Sequence, residues 1–166
     1  MPLVVQILCS GFIIIYSLIL LVLHYFQCGV QPAVLPNLQY LFPERFACTP
    51  PLTELQLFQP FECLPQRSGN KQTIGELLVG FFYYYASFDF ENAAISVRNA
   101  HVFPRSSMTP DTFIYKIFIE EPFDRNNTAR CVTKSYVMER IQRAFRNARD
   151  AFSKHPPSLQ RIKVTV

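Results

Sequence analysis

Cysteine is sparse and badly spaced in this chain: Cys9, Cys28, Cys48, Cys63 and Cys131 are odd in number and form no C-x-x-C pair. That excludes a disulfide framework and a Cys-based zinc site, and leaves free thiols of a reducing compartment. Charge is missing from the first 43 residues; Glu44 is the first ionised side chain. With no positively charged n-region and no Lys or Arg flank, the segment does not read as a signal peptide. Acids are rare before Ile74, where only Glu44, Glu54 and Glu62 occur. Histidine is limited to His24, His101 and His155, too far apart to argue for catalysis; His24 reads as a satisfied core histidine on an apolar helix.

What is present is apolar. At 166 residues and 49% hydrophobic content the chain is long enough for one domain with its own core. Leu3 to Phe26 is apolar apart from Gln6, Ser10, Ser17 and His24, which by length alone could span a bilayer. Val30 to Pro65 is rich in proline and reads as a long connection with short helical turns. Thr73 followed by Glu76 forms a capping box opening a helix over Ile74 to Ala86, with Leu77, Leu78, Phe81, Phe82 and Tyr85 at helical spacing. The aromatic run Phe81 to Tyr85 reads as core. Ala94 to Val97 and Phe113 to Ile119 are predicted strands, with a loop over Pro104 to Thr112 between them. From Ser135, a stripe of Met138, Ile141, Phe145, Ala148 and Phe152 predicts an amphipathic helix ended by Pro156-Pro157.

The net charge of +4 is unevenly placed. Residues 1 to 129 carry 7 basic and 10 acidic side chains, whereas residues 130 to 163 carry 9 basic ones against Glu139 and Asp150. Such a segment attracts polyanions through counterion release, RNA among them, or presents a solvated helix face. The sequon Asn126-Asn127-Thr128 is discounted, because the cysteine pattern does not favour an oxidising compartment.

The stretch IEEPFDRNNTAR, Ile119 to Arg130, packs a strand end, a carboxylate-rich turn and an arginine into one connection. It resembles the signature of the noncanonical poly(A) and poly(U) polymerases. IGELLVGFFYYYASFDFENAAISVRNA, Ile74 to Ala100, resembles the start of the PAP-associated region of those enzymes, and Tyr16 to Phe46 resembles the helix and proline-rich connection before it. The match is nearest to the cytoplasmic, germline-development class of poly(A) RNA polymerase.

The resemblance implies an α+β fold, mainly α: the central, PAP-associated domain of a terminal nucleotidyltransferase, helices with a short β element, the catalytic palm domain absent. It divides the chain into an unmatched apolar segment (1–15), a gene-model artefact or an anchor; a polymerase central region (16–153) whose PAP-associated domain covers about 74–130; and a tail (154–166). The family's metal-binding acids follow a Gly-Ser turn, and nothing upstream of Ile74 offers them, so no catalytic and no metal-binding residue is assigned.

By the same resemblance, Tyr16 stacks on the incoming base, and Glu121 and Asp124 face its edge and the groups that orient it as acceptors, unless they only pair with Arg125, Arg130 or Arg98. Asn126 and Asn127 occupy the loop where the base is chosen. Uridine-preferring members tend to carry a histidine there, so its lack leans to ATP over UTP. Arg130 is placed to contact RNA or brace the loop, and Arg140, Arg143, Arg146 and Arg149 are the further candidates for RNA contact. The implied activity is transfer of AMP from ATP to RNA 3′ ends with Mg²⁺ or Mn²⁺ in the intact enzyme, this chain alone binding neither. The implied setting is cytoplasmic, with an RNA 3′ end, a nucleoside triphosphate and an RNA-binding adaptor protein as partners. The alternatives are an inactive truncated paralogue acting as an interaction module, a terminal uridylyltransferase fragment, and a membrane-anchored protein using residues 3–26.

Overall fold

The computed structural model describes residues 15–46 and 68–154. Residues 1–14, most of the proline-rich connection, His155, Pro156-Pro157 and the rest of the tail lie outside them, with the readings made there.

Helix α1, Ile15–His24, buries Ser17, Leu20, Leu21 and His24, an i, i+3, i+4, i+7 face. It runs on as one π-turn, Tyr25–Gly29, and stops where Val30 turns extended. Among the described residues no helix is long and apolar enough to cross a membrane. Short α2, Leu38–Leu41, is capped by Asn37, whose side chain accepts from the Tyr40 N–H.

Helix α3, Ile74–Ala86, begins with the predicted capping box: Glu76 N–H donates to Thr73 Oγ1 (3.2 Å) while Thr73 N–H donates to Glu76 Oε2 (2.7 Å). Its partner is α4, Ser135–Lys154, which buries Val137, Met138, Ile141, Phe145 and Ala148, with Phe152 packed at the edge. Phe145 sits among Phe81, Phe82 and Tyr85 at ring separations of 6.0, 6.3 and 5.5 Å. The aromatic run is therefore core at Phe81, Phe82 and Tyr85, while Tyr83 faces outward.

A small sheet in the order β2-β1-β3 completes the core. β1 (Ala93–Ser96) pairs antiparallel with β2 (His101–Pro104) and parallel with β3 (Ile119–Glu120), placing Ile95 beside Ile119. The strand expected at Phe113–Ile119 is corrected here: its first two residues belong to a 3-10 turn, Pro110–Ile114, and only Ile119 and Glu120 pair. The cause is tertiary. Buried Arg105 donates to the carbonyls of Thr112 (3.1 Å) and Tyr115 (2.7 Å), curling the segment around its guanidinium and overriding β propensity. β2 lies outside the expected strands, being exposed at most positions and without apolar alternation.

Candidate functional site

β3 ends at the acidic turn, and the turn folds on itself before it touches anything else. Glu121 N–H donates to the Asn126 carbonyl (2.8 Å), and the Glu121 carbonyl accepts from Arg125 N–H (3.1 Å), Arg125 taking the left-handed backbone at φ 63°. One oxygen of the Glu121 carboxylate, Oε2, accepts from the N–H groups of Phe123 (2.6 Å) and Asp124 (2.7 Å). Asp124 repeats the device one step on, accepting from the Asn126 N–H (2.8 Å) and Nδ2 (2.9 Å). Those two bonds, with a smaller contribution from the positive charge of Arg130, hold the Asp124 carboxyl below its ordinary pKa.

The second oxygen of Glu121 reaches across 105 positions of chain. Tyr16 Oη donates to Glu121 Oε1 at 2.6 Å, a charge-assisted bond. Burial, then that bond, then the charges of Glu121 and Asp124 push the Tyr16 phenol up to about 12, so it stays a donor at neutral pH. Next to it Ser17 donates to Thr128 Oγ1 (3.0 Å), which itself donates to the Ile119 carbonyl (3.2 Å), closing α1 onto the end of the turn. Tyr16 is 41% exposed. A ring tied by its hydroxyl and open to solvent can stack on a flat ligand at little cost in ordering.

The structure thus brings Tyr16, Glu121, Asp124, Asn126 and Arg130 to one place. Glu121 closes the turn through Oε2 and orients Tyr16 through Oε1. One expectation is corrected. Asn127 is not in the exposed loop at all: it is 6% exposed, its Oδ1 accepts from Ile119 N–H (3.1 Å) and Ala129 N–H (2.9 Å), and its Nδ2 donates to the Ile117 carbonyl (2.8 Å). All three of these hydrogen bonds go to backbone beside a two-residue strand that cannot pair those groups itself. Asp124, Arg125 and Asn126 are exposed polar groups of the turn.

Arg140, Arg143 and Arg146 lie on the exposed face of α4, whereas Arg149 is half-buried and paired with Asp150 at 2.9 Å. Glu120 leaves β3 on the other side and accepts from Ser96 Oγ. Ser17 and Gln39, which sequence reasoning did not single out, help hold the turn in place, their partners 111 and 83 positions away; Arg98, a candidate ion-pair partner of the turn's acids, instead donates to the Pro122 carbonyl. His24 is a core histidine only half satisfied, with Nδ1 bonded to Tyr85 Oη (2.8 Å) and Nε2 buried without a partner. Cys28 is a thiol whose Sγ donates to the His24 carbonyl (3.4 Å). Among the described residues no group of three or more His, Cys, Asp or Glu side chains converges as a metal site.

Three comparisons bear on this arrangement. A family described as Cid1 family poly A polymerase matches residues 73–127. The chain is 44% identical over 138 residues to poly(A) RNA polymerase gld-2 homolog B of Drosophila melanogaster, covering 78% of this chain and 10% of that protein. It is 41% identical over 136 residues to poly(A) RNA polymerase GLD2 of Homo sapiens, covering 78% of this chain and 26% of that protein. The fold is similar to that in a solved structure of a GLD-2/RNP-8 complex, with a TM-score of 0.67 and 33% identity over 85% of this chain and 43% of that one. The chain spans a tenth to about a quarter of the length of these curated relatives.

Proposed function

The chain belongs to the PAP-associated family of noncanonical poly(A) polymerases, and from that premise we propose that it is the nucleotide-recognising part of an enzyme adding AMP from ATP to RNA 3′ ends. The observation that carries this reading is the Tyr16–Glu121 bond: an exposed aromatic face oriented from beneath by the same turn that presents Asp124 and Asn126.

A polymerase without a template must hold the incoming base by stacking and by its edge. Stacking on Tyr16 supplies ~1–3 kcal/mol and tolerates any base. Selection then falls to the turn. Asp124 is an acceptor and suits a donor on the base edge, an exocyclic amine or a ring N–H, while Asn126 Nδ2 keeps that carboxylate ionised and aimed. Arg130, whose positive charge acts on Asp124, suits an RNA phosphate. In the intact enzyme a divalent ion, Mg²⁺ or Mn²⁺, would supply alignment of the attacking hydroxyl and charge neutralisation during phosphoryl transfer. Among the described residues no group of three or more His, Cys, Asp or Glu side chains converges to hold it. An RNA-binding adaptor and a cytoplasmic setting complete the proposal.

The test is a chimera in which this chain replaces the matching segment of the Drosophila relative, assayed for extension of an oligoadenylate primer. Tyr16→Ala is expected to raise the KM for ATP roughly five- to 150-fold, the equivalent of ~1–3 kcal/mol of lost stacking, with Tyr16→Phe much milder. UTP use should stay below ATP use. An active chimera indifferent to Tyr16→Ala would overturn the assignment of Tyr16. A chimera that is inert while its parent is active would favour the interaction-module alternative.

A further inference from the structure

Pro122 follows Glu121 and has no N–H, so its carbonyl is its one backbone hydrogen-bonding group. That carbonyl is held twice. Gln39 Nε2 donates to it at 3.1 Å from α2, and Arg98 Nη1 donates to it at 3.0 Å from the connection after β1. Arg98 is itself pinned, because Asn37 Nδ2 donates to the Arg98 carbonyl (2.9 Å) while Asn37 Oδ1 caps α2.

The Pro122 carbonyl and the Phe123 N–H are the two ends of one planar peptide unit. Gln39 and Arg98 hold the first end, and Glu121 Oε2 holds the second at 2.6 Å. With both ends tied the plane cannot rotate, and the Glu121 side chain that grips it cannot turn away from Tyr16. The turn's own bonds preserve its shape but not its attitude to the body of the fold. Without the two donors, rotation of the Pro122–Phe123 unit would release Phe123 N–H, free one side of the Glu121 carboxylate and loosen the ring it orients.

We infer that Gln39 and Arg98 are positioning residues for base recognition, acting through the Pro122–Phe123 peptide and Glu121 on Tyr16. This rests on the proposed nucleotide-recognising role. Neither residue touches the base; both set where the stacking ring and the acceptor stand. The proline-rich connection that carries Gln39 is thereby a part of the specificity apparatus and not a mere linker.

The variants are Gln39→Met with Arg98→Met, which keep the stems and remove the donors, and Arg98→Lys, which keeps one donor. In the chain itself, amide hydrogen exchange at Phe123 should quicken in the double Met variant while the amides of α3 stay protected. In the chimera, the double variant should raise the ATP KM roughly three- to tenfold, the scale of one neutral hydrogen bond, and narrow the ATP-to-UTP preference, with kcat little changed. Arg98→Lys should recover much of the KM. A purely structural role would instead lower the unfolding midpoint and leave KM alone. Unchanged exchange at Phe123, or faster exchange with an unaltered ATP KM in an active chimera, overturns the inference. An unsubstituted chimera that is inert overturns the functional reading instead, and the positioning of the turn is then decided by the exchange result.

Discussion

His24 offers a sharp test of the core. Its ring is fully buried, between Tyr85 and the edge of Phe88. Tyr85 Oη donates its proton to the Leu21 carbonyl (2.9 Å), so it accepts from His24 Nδ1–H and the tautomer is fixed. Nε2 is then a bare lone pair without a partner. Protonation would create a buried cation with an unbonded N–H, which burial opposes first and the neighbouring His101 opposes further; the folded-state pKa falls from 6.5 to about 4. The unfolded chain therefore takes up a proton near pH 6.5 that the folded chain refuses until about pH 4. The stabilisation is present above pH 6.5 and is lost as pH falls towards 4. From these two pKa values, linkage gives a loss of about 2 kcal/mol between pH 7 and pH 5 and about 3 kcal/mol by pH 4. Glu76, Asp89 and Asp124, whose carboxyls are held below their ordinary values by hydrogen bonds, begin to contribute only at lower pH, so the interval from 7 to 5 isolates His24. His24→Leu keeps an apolar filling and leaves Tyr85 its bond to Leu21. Urea unfolding of both proteins at pH 7 and pH 5 should show the loss in the parent chain and little in the variant. Equal losses in both would refute the burial argument.

Three further outcomes are expected. Gly80→Ala gains ~1 kcal/mol of helix propensity, but its Cβ would run into Tyr25 Oη, with Cζ next at 3.3 Å; overpacking at ~1–3 kcal/mol should make it net destabilising. In a Tyr25→Phe background the same change should be neutral or stabilising, and a double-mutant cycle by urea unfolding with no coupling would count against the contact. Asn127→Ala strands two N–H groups and a carbonyl in the interior and should destabilise by about 3 kcal/mol or more, at ~1–3 kcal/mol per unpaired group; a loss within the scatter of surface variants would refute its bracing role. Arg143→Gln with Arg146→Gln, on the exposed face of α4, should reduce the log–log salt slope of single-stranded RNA binding by about 0.7 per lost phosphate contact; an unchanged slope would leave these arginines as a solvated face.

What the sequence determined by itself is whatever is written within a turn or two of chain. The capping box of Thr73 and Glu76 closes over three residues, the α4 stripe is one face of one helix, and the self-folding of Glu121 to Asn126 uses Asx-type bonds between near neighbours. The resemblance of the helix segment that opens at Tyr16 also pointed to that residue. Tertiary structure alone decided the long-range pairings. It placed Tyr16 on Glu121, turned Asn127 inward because the short β3 leaves backbone groups unpaired, and wrapped residues 110–115 around Arg105 where β-rich composition had argued for a strand. The physical reason is common to all three. An amide, a guanidinium or a phenol has the same intrinsic chemistry wherever it stands, and whether it meets a ligand or a backbone carbonyl depends on which groups folding brings within about 3 Å of it.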